Sequence, residues 1–208
     1  MKLSWANRIT LTRIFMILPF VIFMLKMGEA EYGDIMRYSA LAVFIYMALS
    51  DVVDGYLARV KNQATKLGAF LDPTADKLLM ICACLLLASE RASVAGFKLP
   101  VTVVVLIIGK DVFLTLGFAI VFFITNYVRI VPVWSGKLAT FVQLSMVAGI
   151  LIGPEASGVF PWWIWLLRIL WWGAGGLAIL STLIYIVNGS RYIEEFEQES
   201  LSREAKER

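Results

Sequence analysis

Residues 50–77 read SDVVDGYLARVKNQATKLGAFLDPTADK. Four aspartates, Asp51, Asp54, Asp72 and Asp76, share this stretch with Arg59, Lys61, Lys66 and Lys77. The rest of the chain is oily: 60% of its 208 residues are hydrophobic and 17% are charged, with a mean hydropathy of +0.78. A soluble domain needs more polar surface than that, so the composition predicts an integral membrane protein. A charge at membrane depth costs at least about 2.5–3.5 kcal/mol on insertion scales. Four carboxylates in such a chain therefore call for a specific reason.

A membrane-crossing helix needs about 20 mostly apolar residues. Six stretches qualify, roughly 12–27, 36–58, 69–89, 100–126, 132–153 and 162–188. The expected fold is all-α: six transmembrane helices, with an N-terminal interfacial helix around Trp5, Ile9 and Leu11 that then turns into the first span. The membrane domain covers residues 1–190, and residues 191–208 form a charged cytoplasmic tail. A cleaved signal peptide is disfavoured at the N-terminus, because no small-residue cleavage site follows Leu25.

Lysine and arginine counts set the orientation. The N-terminal segment, the loop at 59–68, the loop after the fourth span and the tail carry most of these residues, and the other face carries only Lys26, Arg37, Arg91, Lys98 and Arg168. By the positive-inside rule both termini and the aspartate loop face the cytoplasm. Trp162, Trp163 and Trp165 read as an interfacial anchor on the far side.

The sequence contains no histidine, which excludes Ser-His-Asp triads, histidine zinc sites and histidine general bases. Cys82 and Cys84 are two apart, point in different directions on a helix and read as apolar filler. A net charge of +3 without a basic, aromatic-interleaved patch gives no footprint for nucleic acid. Proton transfer must then use Asp, Glu, Lys or Tyr, and any metal must accept oxygen ligands.

Asp51 and Asp54 lie three apart and Asp72 and Asp76 four apart, so each pair occupies one helical face. The short connection makes the two helices antiparallel neighbours with the two pairs facing each other near the cytoplasmic interface. Oxygen ligands at this density suit Mg²⁺ or Mn²⁺, in one or two ions, and a metal clamp of that kind suits phosphoryl-type transfer. Each aspartate also has a structural reading. Asp72 before Pro73 resembles an N-cap, and Asp51 or Asp54 could pair with Arg59 or Lys61. Gly55, Ala58 and Gly68 allow close approach of a ligand or of another helix.

Asp51, Asp54, Gly55, Ala58, Arg59, Gly68, Asp72 and Asp76 spell D-x2-D-G-x2-A-R-x8-G-x3-D-x3-D, which resembles the signature of the CDP-alcohol phosphotransferase family. Asn7, Thr10 and Arg13 (N-x2-T-x2-R), and Gly136, Lys137, Thr140 and Gln143 (G-K-x2-T-x2-Q), extend the likeness along the chain. Pro19 and Lys110 are small departures, the latter standing where relatives usually carry arginine.

The resemblance implies a transferase that moves the phosphatidyl group of CDP-diacylglycerol to an alcohol and releases CMP at the cytoplasmic face of a bacterial inner membrane. It implies two divalent ions held by Asp51, Asp54, Asp72 and in part Asp76, with Asp76 as general base. Asp51, Gly55, Ala58, Arg59 and Gly68 would hold the nucleotide. Arg13, Lys110 and Lys137 are the candidate acceptor-binding cations, although each could equally be a membrane anchor or an internal ion pair. The likeness is greatest to the branch using glycerol 3-phosphate, with a phosphatidylglycerol-using cardiolipin synthase as the alternative, and it implies a homodimer. An ion transporter would instead place carboxylates near mid-membrane within related halves, which this sequence does not do.

Overall fold

The computed structural model describes the backbone of residues 5–29, 31–61, 66–125 and 134–207, and the side chains of 11–29, 31–51, 75–117, 134, 136–191 and 194. Among these residues all regular structure is helical, in the order α1 (Trp5–Lys26), α2 (Gly33–Lys61), α3 (Lys66–Ala88), α4 (Val101–Thr125), α5 (Trp134–Leu151), α6 (Gly153–Val159) and α7 (Trp163–Glu207).

The all-α class expected from the sequence is therefore observed. The separate interfacial helix is not: α1 runs unbroken from Trp5 to Lys26. No glycine or proline interrupts residues 5–18, so nothing in the sequence breaks the helix there. The N-cap reading of Asp72 also falls, since α3 starts at Lys66 and Asp72 lies inside it. The tail beyond Ser190 continues α7 as helix to Glu207.

The core is built from the inner stripes of six helices. Phe20 and Met24 of α1, Phe44 and Met47 of α2, Leu87 of α3, Ile107 of α4, Met146 and Ile150 of α5 and Leu167 of α7 are all essentially inaccessible. Phe20 and Phe44 meet with ring centroids 6.0 Å apart, a favourable tilted aromatic pair joining α1 to α2. Large apolar side chains also cover the outside: Phe15, Val105, Phe113, Phe141 and Ile169 are each more than 60% exposed. Water would penalise such a surface and hydrocarbon would not. Among the described residues, Trp163–Arg191 is by itself long and apolar enough to cross a membrane, and Gly136–Leu151 with Gly153–Val159 is so only as a pair bent by 78°.

The end of the bundle where α1 finishes and α2 begins is held by charge. Arg37 is buried, and its guanidinium donates to both oxygens of Glu155, at 2.7 and 2.5 Å, to Asp34 at 3.0 Å and to the Leu151 carbonyl at 2.8 Å. A cation on the last carbonyls of α5 opposes the negative end of that helix, so this one side chain ties α2 to the α5–α6 bend. Gly33 opens α2 where the chain has just turned back from α1. A Cβ there would lie 2.6 Å from the Met27 carbonyl oxygen, so the turn demands glycine.

Candidate active site

Three charged side chains converge from three helices. Arg13 of α1 is buried, and its Nη1 donates to Asp51 Oδ1 of α2 at 2.9 Å and to Asp76 Oδ1 of α3 at 2.6 Å. The helix registers explain the meeting. Arg13 lies eight positions in from the start of α1, Asp51 ten before the end of α2 and Asp76 ten after the start of α3. At about 1.5 Å per residue all three stand about 12–15 Å from the same end of the bundle.

Burial differs within the group in a way that matters. The Arg13 side chain is 3% exposed, whereas those of Asp51 and Asp76 are 45% and 41% exposed. The guanidinium forms a fixed cationic floor, and the two carboxylates open away from it. Charge-assisted bonds of this length fix position as well as contributing energy.

The sequence treated Arg13 as an acceptor cation or a membrane anchor. The structure ties it to two of the four signature aspartates. The available signal was its spacing from Asn7 and Thr10 and its place in an apolar run, since an intramembrane arginine requires a counter-charge. The other two aspartates, with Gly55, Ala58, Arg59 and Gly68, lie on the helical backbone of α2 and α3, but their side chains are outside the described residues. Asp54 and Asp72 lie on the helices that carry Asp51 and Asp76, three and four positions away.

The remaining candidates stand apart. Lys110 of α4 is buried and pairs with its neighbour Asp111 at 3.1 Å, so of its two sequence readings the internal ion pair is present. Lys137 of α5 is exposed, with its ammonium 5.8 Å from the Trp134 ring centroid. Thr140 of the same motif bonds back to the Gly136 carbonyl at 3.1 Å, and Gln143 is buried. Sequence reasoning missed Arg37, read only as a loop charge, and the Lys77–Thr115 contact between α3 and α4, 2.9 Å long.

An open cavity of about 420 Å³ lies at the opposite end of the bundle, lined by Glu29, Glu31, Asp34 and Arg37 among others. Three carboxylates and one arginine line it, and that arginine is paired with Asp34 and Glu155. Glu155 is held at a pKa of about 2, below the usual carboxylate range, chiefly by its hydrogen bonds from Arg37, with partial burial opposing.

Among the described residues no group of three or more His, Cys, Asp or Glu converges as a metal site. The donor set nonetheless fits a hard divalent cation. Asp51 and Asp76 turn one oxygen each to a common positive charge and are partly exposed, and oxygen-only ligands suit Mg²⁺ or Mn²⁺.

Comparison with known proteins agrees with the signature. The model of the CDP-alcohol phosphatidyltransferase family matches residues 3–171. A CDP-diacylglycerol--glycerol-3-phosphate 3-phosphatidyltransferase of Pseudomonas fluorescens is 32% identical over 185 residues, 86% of this chain and 87% of that protein. The enzyme of the same name from Bacillus subtilis is 36% identical over 153 residues, 70% of this chain and 75% of that protein. A Mycobacterium tuberculosis protein named "Probable phosphatidylglycerophosphate synthase" is 35% identical over 150 residues, 72% of this chain and 66% of that one. With the aspartate signature intact and the match spanning most of its length, this chain belongs to the CDP-alcohol phosphatidyltransferase family.

Proposed function

We propose that this protein transfers the phosphatidyl group of CDP-diacylglycerol to glycerol 3-phosphate, forming phosphatidylglycerophosphate and releasing CMP. The observation that carries the reading is the convergence of Asp51 and Asp76 on Arg13, inside a family signature shared with relatives named for that reaction.

Asp76, whose side chain is 41% exposed, takes the proton of the acceptor hydroxyl. The acceptor oxygen forms a bond to the lipid-bearing phosphorus as the bond from that phosphorus to the bridging oxygen breaks, and CMP leaves with the electron pair. Arg13 fixes the Asp51 and Asp76 carboxylates and offsets part of their negative charge. Asp51, Asp54, Asp72 and in part Asp76 would hold two divalent ions, which when bound neutralise phosphate charge and acidify the hydroxyl. The nucleotide lies against Asp51, Gly55, Ala58, Arg59 and Gly68. Lys110 and Lys137, with Arg13, supply the further cations that a dianionic acceptor needs.

The chain crosses the inner membrane six times, through α1, α2, α3, α4, α5 and the first part of α7, with both termini and the site on the cytoplasmic side. Helix lengths of 18 to 45 residues and the apolar outer surface support this topology. The protein works as a homodimer, an expectation that cross-linking in native membranes showing only monomer would end.

The deciding experiment measures CMP release by purified protein in detergent with CDP-diacylglycerol and Mg²⁺, offering one acceptor at a time. Turnover with glycerol 3-phosphate is expected. Turnover only with phosphatidylglycerol would make the enzyme a cardiolipin synthase and overturn the acceptor assignment.

A further inference from the structure

Lys77 follows Asp76 directly on α3 and has no part in the chemistry above. Its Nζ donates to Thr115 Oγ1 of α4 at 2.9 Å. The Thr115 hydroxyl in turn donates to the Asp111 carbonyl at 2.7 Å, so its own proton is committed and its oxygen is oriented to accept from Lys77. Thr115 is thereby fixed to the α4 backbone one turn beyond the Lys110–Asp111 ion pair.

Consecutive residues on a helix point about 100° apart. At one level, α3 is therefore gripped on two sides, by Asp76 against Arg13 of α1 and by Lys77 against Thr115 of α4. Two grips in different directions at the same height fix the rotation of a helix about its own axis, which neither does alone. The side-chain tips of a helix lie about 5–6 Å from its axis, so a turn of about 20° moves a carboxylate by about 2 Å. A misplacement of about 1 Å at a reacting group can cost about 10²-fold in rate.

We propose that Lys77 and Thr115 form a positioning pair that sets the rotation of α3 and so aims the Asp76 carboxylate at the acceptor hydroxyl. The proposal rests on the reading of Asp76 as general base. The alternative, that the contact only satisfies a lysine in a largely apolar bundle, predicts lost stability with unchanged turnover.

The test compares Thr115→Val, Thr115→Ser, Lys77→Met, the Lys77→Met/Thr115→Val double variant and Asp76→Asn in steady-state CMP release, with thermal unfolding of each. Thr115→Val keeps the branched shape and removes the acceptor. Its kcat is expected to fall about 5- to 20-fold, with KM for CDP-diacylglycerol within about twofold of wild type and unfolding little changed, as for a geometric error at the reacting group. Thr115→Ser is expected to restore kcat. Because Lys77 acts through Thr115, the double variant is expected to be no slower than the slower single variant. Wild-type kcat in Thr115→Val overturns the proposal, as does a double variant whose loss is the product of the single losses, which would give Lys77 its own contact with substrate. Should Thr115→Val not fold, Lys77→Met against wild type carries the same kcat and KM comparison. An inactive Asp76→Asn beside a fully active Thr115→Val rejects the positioning pair alone. An active Asp76→Asn rejects the base assignment and the pair with it.

Discussion

Arg13 and Asp76 are separated by 63 positions in sequence, yet Arg13 Nη1 lies 2.6 Å from Asp76 Oδ1. That same nitrogen reaches Asp51 at 2.9 Å, so one buried group organises carboxylates from two helices. Replacing Arg13 with Gln is expected to lower kcat/KM for CMP release by about 10²-fold, since a charge-assisted contact is worth about 1.5–3 kcal/mol and two are lost. Arg13→Lys keeps the charge without the planar fork and is expected to fall between. Full activity in Arg13→Gln would remove the guanidinium from the working site.

Oxygen-only ligands make turnover dependent on a hard cation. Treatment with EDTA is expected to abolish CMP release, and added Mg²⁺ or Mn²⁺ to restore it. Turnover that survives chelation would refute the divalent clamp assigned to the four aspartates.

At the opposite end, the Arg37–Glu155 pair gives a pH signature in stability. The folded-state pKa of Glu155 is about 2, against 4.5 for the unpaired carboxyl. A depressed acid contributes stability that is fully present above its unfolded value and is lost as pH falls through the folded one. Glu155→Gln is therefore expected to unfold about 1–4 °C below wild type at neutral pH, a modest effect because the carboxylate is 43% exposed. The difference is expected to shrink between about pH 4.5 and pH 2. A gap that stays constant across that range, read by thermal unfolding in detergent, would mean that the loss is not that of the ion pair.

Gly33→Ala tests the turn between α1 and α2. Its Cβ would meet the Met27 carbonyl oxygen at 2.6 Å, and a backbone atom cannot swing away as a side-chain tip can. A loss of about 1–3 kcal/mol is expected, seen as a lower midpoint of thermal unfolding. An unchanged midpoint would show that the turn relaxes without cost.

Composition, the absence of histidine and the spacing of four aspartates were enough to read an all-α membrane chain, its family and an oxygen-ligand chemistry, because each depends on local periodicity or on which residue types are present. Helix limits were less legible. One reading of Asp72 before Pro73 was an N-cap, but α3 begins at Lys66, because neighbouring helices and not local signals fix where a packed helix begins. The cations' partners on other helices were not legible. Arg13 read as an acceptor cation or an anchor and Arg37 as a charge on the far face, and the structure gives Arg13, Arg37 and Lys77 each an acceptor on another helix.

Local periodicity was sufficient for the six apolar stretches and for placing four carboxylates near one loop. The contacts of Arg13 with Asp51 and Asp76, and of Arg37 at the α5–α6 bend, come from helix packing. Periodicity specifies which face a residue occupies on its own helix, whereas a salt bridge between helices depends on their relative rotation and height, which packing of side chains such as Phe20 against Phe44 sets.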